Sequence, residues 1–129
     1  MALAFVTGGS RGLGHATAKG LKENGFELVL FSKQSDRLQS AAAELGAHYE
    51  VVDLEDLPRT SEVFKSAIEK YGVPDVLMLA HGVMSDRMAK TLKTNLAEWR
   101  RVMTINLDSV FVIVNLVGAA MAEARKGRI

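Results

Sequence analysis

Cysteine is absent from the 129 residues of the chain, which excludes disulfides and thiolate catalysis and leaves the redox compartment unread. A surplus of charge is missing too: 16 Lys and Arg face 15 Asp and Glu, a net charge of +1, so neither nucleic acid nor an acidic surface is expected as a partner. No charged segment precedes an apolar stretch at Met1-Ala2-Leu3, so no signal peptide is expected and the cytoplasm is the default location. The longest apolar stretch, about residues 110 to 122, is interrupted by Asn115 and is too short and too polar for a membrane span. Linker composition and internal repeats are lacking as well. A single domain over residues 1–129 follows, with ordinary globular proportions of 48% hydrophobic and 24% charged residues.

What stands out is the stretch Thr7-Gly8-Gly9-Ser10-Arg11-Gly12-Leu13-Gly14. It follows an apolar run, Ala2 to Val6, that reads as a buried strand, and it opens a segment with helical spacing at Leu13, Ala16, Thr17, Gly20 and Leu21. Strand, glycine turn and helix together make a phosphate cradle. Gly8 allows the sharp turn, Gly12 the approach of backbone to a pyrophosphate, and Gly14 the close packing of helix on strand. Free N–H groups of the first helical turn and the helix dipole favour an anion there.

The first helix is expected to close at Asn24-Gly25, and Phe26 to Phe31 reads as a second strand covered on both faces. Ser35 can cap a helix with the stripe Leu38, Ala41, Ala42 and Leu45, stopped at Gly46. A third strand, Ala47 to Val52, precedes an acidic turn and a helix with Pro58 in its first turn, whose stripe Val63, Phe64, Ala67, Ile68 and Tyr71 runs to Gly72. Asp75 to Ala80 is the fourth strand, and His81 to Lys93 reads as a loop. Asn95 with Glu98 resembles a capping box that starts one long helix reaching about Lys126, stopped by Gly127. Its stripe is Trp99, Met103, Val110, Val114, Val117 and Met121, with Asn106 where another apolar residue belongs. Four alternations of strand and helix predict an α/β fold on a parallel sheet.

The end of the second strand reads Ser32-Lys33-Gln34, with no carboxylate to receive a ribose 2′-hydroxyl. Arg11, Lys33 and Arg37 could instead converge on a 2′-phosphate beside Ser32, or all three could be solvated surface cations; the phosphate alternative implies NADP rather than NAD. Asp53 directly follows the third strand. Its carboxylate could accept from an adenine amino group while Leu54 offers backbone, or it could cap the next helix. Asn106 on an apolar stripe needs bonds to backbone at a helix kink or to an ordered water, and a water-holding place beside a reaction centre is compatible with either. His81 stands at the carboxyl edge of the sheet, where a histidine could move protons or simply be a bonded loop residue. His15 and His48 offer no metal geometry with it, and no metal is expected.

Together these residues resemble the amino-terminal half of a short-chain dehydrogenase/reductase of the NADP-preferring kind, over essentially the whole chain. Thr7-Gly8-x-x-x-Gly12-x-Gly14 is similar to the family's glycine motif, with Arg11 before the second glycine as in members that use NADP. Asp53-Leu54 resembles the adenine-contacting pair, Met103 to Leu107 the segment with the active-site Asn, and Gly127-Arg128-Ile129 the lead-in to a fifth strand. The resemblance implies a Rossmann-type doubly wound sheet of order 3-2-1-4, NADP(H) held by Thr7, Gly8, Ser10, Arg11, Gly12, Leu13, Gly14, Ser32, Lys33, Asp53, Leu54 and Gly82, and reversible carbonyl reduction with Asn106 at the reacting centre; His81, by its place at the sheet edge, is the local substitute for a proton donor. The family usually has Asn-Asn-Ala-Gly after the fourth strand; here it is Leu79-Ala80-His81-Gly82, which takes away the amides that brace the central strands.

The family's Ser and Tyr-x-x-x-Lys do not occur within these residues: four places after Tyr49 and Tyr71 stand Asp53 and Asp75. Three possibilities stay open: a reductase acting on a small carbonyl or alcohol, a non-enzymatic dinucleotide-binding or interaction module, and a truncated piece of a longer reductase. Strand 76–80 as an apolar edge and helix 95–126 with Phe111, Val114, Val117 and Met121 exposed predict a homodimer or higher assembly through those two elements.

Overall fold

The computed structural model describes residues 1–85 and 90–129. Its strands are β1 (Leu3–Thr7), β2 (Glu27–Ser32), β3 (His48–Val51) and β4 (Val76–Leu79), all parallel, in the order β3-β2-β1-β4. The helices are α1 (Gly12–Glu23), α2 (Ser35–Leu45), α3 (Leu57–Tyr71), α4 (Leu96–Met103) and α5 (Ser109–Glu123). The order places the reversal of winding between β1 and β4, where a crevice opens at the carboxyl ends of the strands.

Alternation along β1 and β2 divides the core. Phe5, Val29 and Phe31, with Leu77, pack on one face against Val63, Phe64 and Ala67 of α3 and Ile113, Val117 and Met121 of α5. Ala4, Val6, Leu28 and Leu30 pack on the other against Ala18 of α1 and Leu38, Ala41, Ala42 and Leu45 of α2. Both faces are covered, which is why these strands are apolar throughout. Phe31 stacks on Phe64 with centroids 4.3 Å apart, and Phe5 meets Phe31 edge-on at 5.2 Å.

Several expectations are corrected. Ser35 does not cap α2: Gln34 occupies the cap position, and the Ser35 hydroxyl accepts from the Gln39 amide at 3.1 Å. Asp53 is not the cap of α3, because Asp56 is, accepting from the Arg59 N–H at 3.0 Å. The long helix is not uniform. Asn95 does start it, accepting from the Glu98 N–H at 2.8 Å, but Thr104–Asp108 forms a π-helical turn between α4 and α5. The extra residue of a π turn resets the helical count, so the inward face of α5 is Ser109, Ile113, Val117 and Met121: the expected stripe holds at Val117 and Met121, while Val110 and Val114 give way to Ser109 and Ile113. Val117 and Met121 are thus core residues of this chain and not exposed, whereas Phe111 is 70% and Trp99 56% exposed. Asn106 lies on an exposed part of the helix rather than on a buried stripe. The helix ends at Glu123, before the expected Gly127, with Arg125 in the left-handed region and the Lys126 N–H on the Met121 carbonyl at 3.0 Å.

After that end the chain turns back to the outer edge of β4, where Arg128 bridges Val76 in parallel sense. Helix 96–123 is long and apolar enough to cross a membrane by length and composition, and in this fold its Ile113 face packs on the sheet. Between β4 and α4 the described part of the connection contains one short 3₁₀ turn, Thr91–Lys93; residues 86–89 of the expected loop lie outside the described residues.

Candidate functional site

A cleft of about 440 Å³ lies at the carboxyl edge of the sheet. The four strand exits supply its walls: the glycine turn after β1, Ser32 and Lys33 at β2, Asp53 and Leu54 after β3, and His81, Gly82 and Val83 after β4, with Ile105 of the π turn closing one side. Of the residues expected to hold a cofactor, all except Thr7 and Gly14 line this cleft. Arg37, weighed as a third cation, is not part of the lining.

Thr7 and Gly14 lie just beneath, and their surroundings explain the motif. A Cβ on Gly14 would collide with the Gly8 carbonyl, and one on Gly8, where φ is +64°, would come 2.7 Å from the Ala80 oxygen. Those two positions must stay bare for turn, helix and β4 exit to pack. Gly12 differs: φ is +58°, yet a Cβ there would meet nothing within 4 Å. Its open side is the space a phosphate backbone would need, so the residues present fit a dinucleotide. Arg11 occupies the N-cap of α1 without a side-chain cap bond, and among the described residues no side chain takes the place of an anion there.

The hydroxyls of Ser10 and Ser32 lie 3.2 Å apart and join the cradle to the end of β2. Lys33 Nζ is 3.4 Å from Asp53 Oδ2, so the expected phosphate cation and the expected adenine acceptor form an ion pair across the cleft mouth. Asp53 Oδ1 also accepts from the Glu55 N–H at 3.1 Å, which fixes the carboxylate on its own turn.

His81 is bonded at both ring nitrogens. Nδ1 lies 2.7 Å from Thr7 Oγ1 and Nε2 2.8 Å from Ser109 Oγ, whose hydroxyl in turn donates to the Ile105 carbonyl at 2.6 Å. Thr7 Oγ1 accepts the Ala80 N–H at 3.1 Å. One imidazole therefore ties β1, the β4 exit and the helix together, and supplies the bracing that the missing Asn-Asn pair put in question. Burial pushes its pKa below the ordinary 6.5, with the Ile105 carbonyl pulling the other way, which favours the neutral ring.

Asn106 grips Val83 with its whole amide: Oδ1 accepts from the Val83 N–H and Nδ2 donates to the Val83 carbonyl, each at 2.8 Å. The expected backbone bond at a helix irregularity is present, and it anchors the cleft wall two residues beyond His81. Ser109 went unnoticed in the sequence. Its signal was a hydroxyl four residues before Ile113 on the i, i+4 row that proves to be buried.

Residues 2–129 match the family model described as short chain dehydrogenase. The chain is 30% identical over 128 residues to galactitol 2-dehydrogenase (L-tagatose-forming) of Cereibacter sphaeroides, covering 99% of this chain and 50% of that protein. It is also 30% identical over 129 residues to the 3-oxoacyl-(acyl-carrier-protein) reductase FabG of Escherichia coli K12, covering 98% of this chain and 52% of that protein. Among solved structures, an actinorhodin polyketide ketoreductase with NADPH superposes with a TM-score of 0.90 at 27% identity, covering 99% of this chain and 51% of the other. The chain thus spans about half the length of the curated relatives it matches.

Proposed function

Since the chain belongs to the short-chain dehydrogenase family, we propose that it binds NADP(H) in the cleft and takes part in the reversible interconversion of a small carbonyl compound and its alcohol. The observation that carries this is Gly12, held in the left-handed region with open space above it while Gly8 and Gly14 are packed tight. Of the three, only the middle glycine has an open side. Gly8, Ser10, Arg11, Gly12 and Leu13 hold the pyrophosphate, Ser32 and Lys33 the 2′-phosphate, and Asp53 with Leu54 the adenine. Gly82 and Val83 form the wall at the nicotinamide end, and Asn106 holds that wall still. A bound nicotinamide supplies the hydride.

The proton comes from elsewhere. Neither tyrosine lines the cleft: Tyr49 belongs to β3, and the Tyr71 hydroxyl donates to Glu50 at 2.8 Å. A general acid typically contributes ~10²–10⁴-fold, so efficient turnover needs a donor outside these residues, on a further segment or on a second subunit. Self-association through the exposed Trp99 and Phe111 of helix 96–123 and the part of the β4 edge beyond the Arg128 bridge, and a cytoplasmic location, belong to the same proposal, with no part for nucleic acid or membrane.

A second reading, cofactor binding without turnover, is favoured by His81, whose two nitrogens are already engaged and offer no proton to a substrate. Calorimetric titration with NADPH and NADH tests the shared step. Micromolar NADPH binding with weaker NADH binding is expected; no heat with either cofactor would overturn both readings. NADPH consumption over a panel of aldehydes and ketones then separates the two.

A further inference from the structure

We propose that His81 is a positioning residue: its ring is the strut that sets the glycine cradle at a fixed distance from the π turn, and through that turn fixes the grip of Asn106 on the cleft wall. The role of the cleft in cofactor binding is taken from the preceding proposal; the strut itself is argued from the hydrogen bonds.

The shortest bond favours one direction: with the Ser109 proton on the Ile105 carbonyl at 2.6 Å, the lone pairs of Ser109 face His81 and Nε2 carries the hydrogen. Thr7 Oγ1 already accepts from Ala80, which leaves its own proton for Nδ1 at 2.7 Å; the Met78 carbonyl, at 3.4 Å, is the poorer acceptor. The neutral Nε2–H tautomer satisfies every member of the chain from Thr7 through His81 and Ser109 to Ile105.

That chain closes on itself. Ile105 is followed by Asn106, Asn106 holds Val83, and Val83 is two residues from His81. On its other side His81 supports the cradle directly, since a Cβ on Gly8 would lie 3.1 Å from the His81 Cα. A ring that merely filled space would need no polar atom at either end. Here each nitrogen reaches a different element: Thr7 ends β1 directly before the glycine turn, and Ser109 follows the π turn whose Ile105 lines the cleft.

His81→Phe keeps the ring and removes both bonds, while His81→Gln restores one donor and one acceptor at similar reach. In the wild-type chain at pH 7 the ¹⁵N spectrum of His81 should show the Nε2–H tautomer. His81→Phe should speed hydrogen exchange at the Asn106 side-chain amide and weaken NADPH binding, each by about tenfold or more, and His81→Gln should recover most of both. A folded His81→Phe variant with wild-type Asn106 exchange and wild-type affinity, whatever its melting temperature, overturns the inference. So does a Gln variant no better than Phe. Should His81→Phe fail to fold, Ser109→Ala removes the Nε2 acceptor together with the bond to Ile105 and must accelerate Asn106 exchange for the inference to stand. The exchange measurement needs no cofactor, so a wild-type chain that binds neither dinucleotide overturns the proposed function while the strut is still decided by Asn106.

Discussion

Lys33 Nζ sits 3.4 Å from Asp53 Oδ2, so the cation after β2 and the carboxylate after β3 neutralise each other at the mouth of the cleft. A 2′-phosphate approaching Lys33 must compete with that carboxylate. Lys33→Met should narrow the preference for NADPH over NADH by about tenfold, the value of one charge-assisted bond. Asp53→Asn should widen it a few-fold, since both side chains are substantially exposed and such pairs contribute only ~0.2–1 kcal/mol. Titration calorimetry of both variants with both cofactors checks the signs; equal loss of both cofactors in Asp53→Asn would assign the carboxylate to adenine alone.

The glycines separate stability from binding. Gly14→Ala places a Cβ on the Gly8 carbonyl and should cost ~1–3 kcal/mol of unfolding free energy together with cofactor binding. Gly12→Ala meets no atom and costs only its left-handed backbone, ~1–2 kcal/mol, yet it blocks the open side of the cradle. Urea unfolding paired with NADPH titration should show the larger binding loss relative to stability at Gly12. The reverse order would remove Gly12 from the site.

How much of this was legible in the sequence depends on whether the signal was local. The glycine turn could be read because strand, turn and helix are contiguous, and the sheet order came with the family resemblance. The phase of the first turns of α5 could not, although Val117 and Met121 stand on the expected stripe. A π turn inserts one residue into the helical count without any residue type that announces it, and Thr104 to Asp108 read as ordinary helix. His81 lacked a visible partner for a related reason: Thr7 and Ser109 lie 74 and 28 residues away and meet only when β1, β4 and α5 assemble. The acidic turn holds Asp53, Glu55 and Asp56, and only the folded chain shows that Asp56 rather than the expected Asp53 reaches the first turn of α3.

Acid should destabilise the chain through His81. Its folded pKa lies below the unfolded value because burial disfavours the charged ring, so the unfolded state binds more protons as pH falls through 6.5. The stability from the neutral ring is fully present above that value and is lost between it and the lower folded pKa. A single proton limits the slope to about 1.4 kcal/mol per pH unit. Urea unfolding of wild type and His81→Gln from pH 5 to 7.5 should give curves that converge as pH falls; parallel curves would mean that His81 titrates alike in both states.

Phe31 serves the core and the cleft with one ring, stacked on Phe64 at 4.3 Å while contributing to the cleft lining. Phe64→Ala removes the support behind it and should cost ~3–5 kcal/mol, a large part of the stability of a domain this size. The loss of affinity should be smaller, because ligand contacts come from backbone around Gly12 and from Lys33 and Asp53 rather than from the ring itself. A ligand that binds only the folded state also adds stability, so saturating NADPH should raise the melting temperature of Phe64→Ala. Thermal unfolding with and without NADPH checks both parts: a variant that melts early but still shifts upward with cofactor has an intact cradle on a weakened floor, and one with no shift shows that the floor sets the site's geometry.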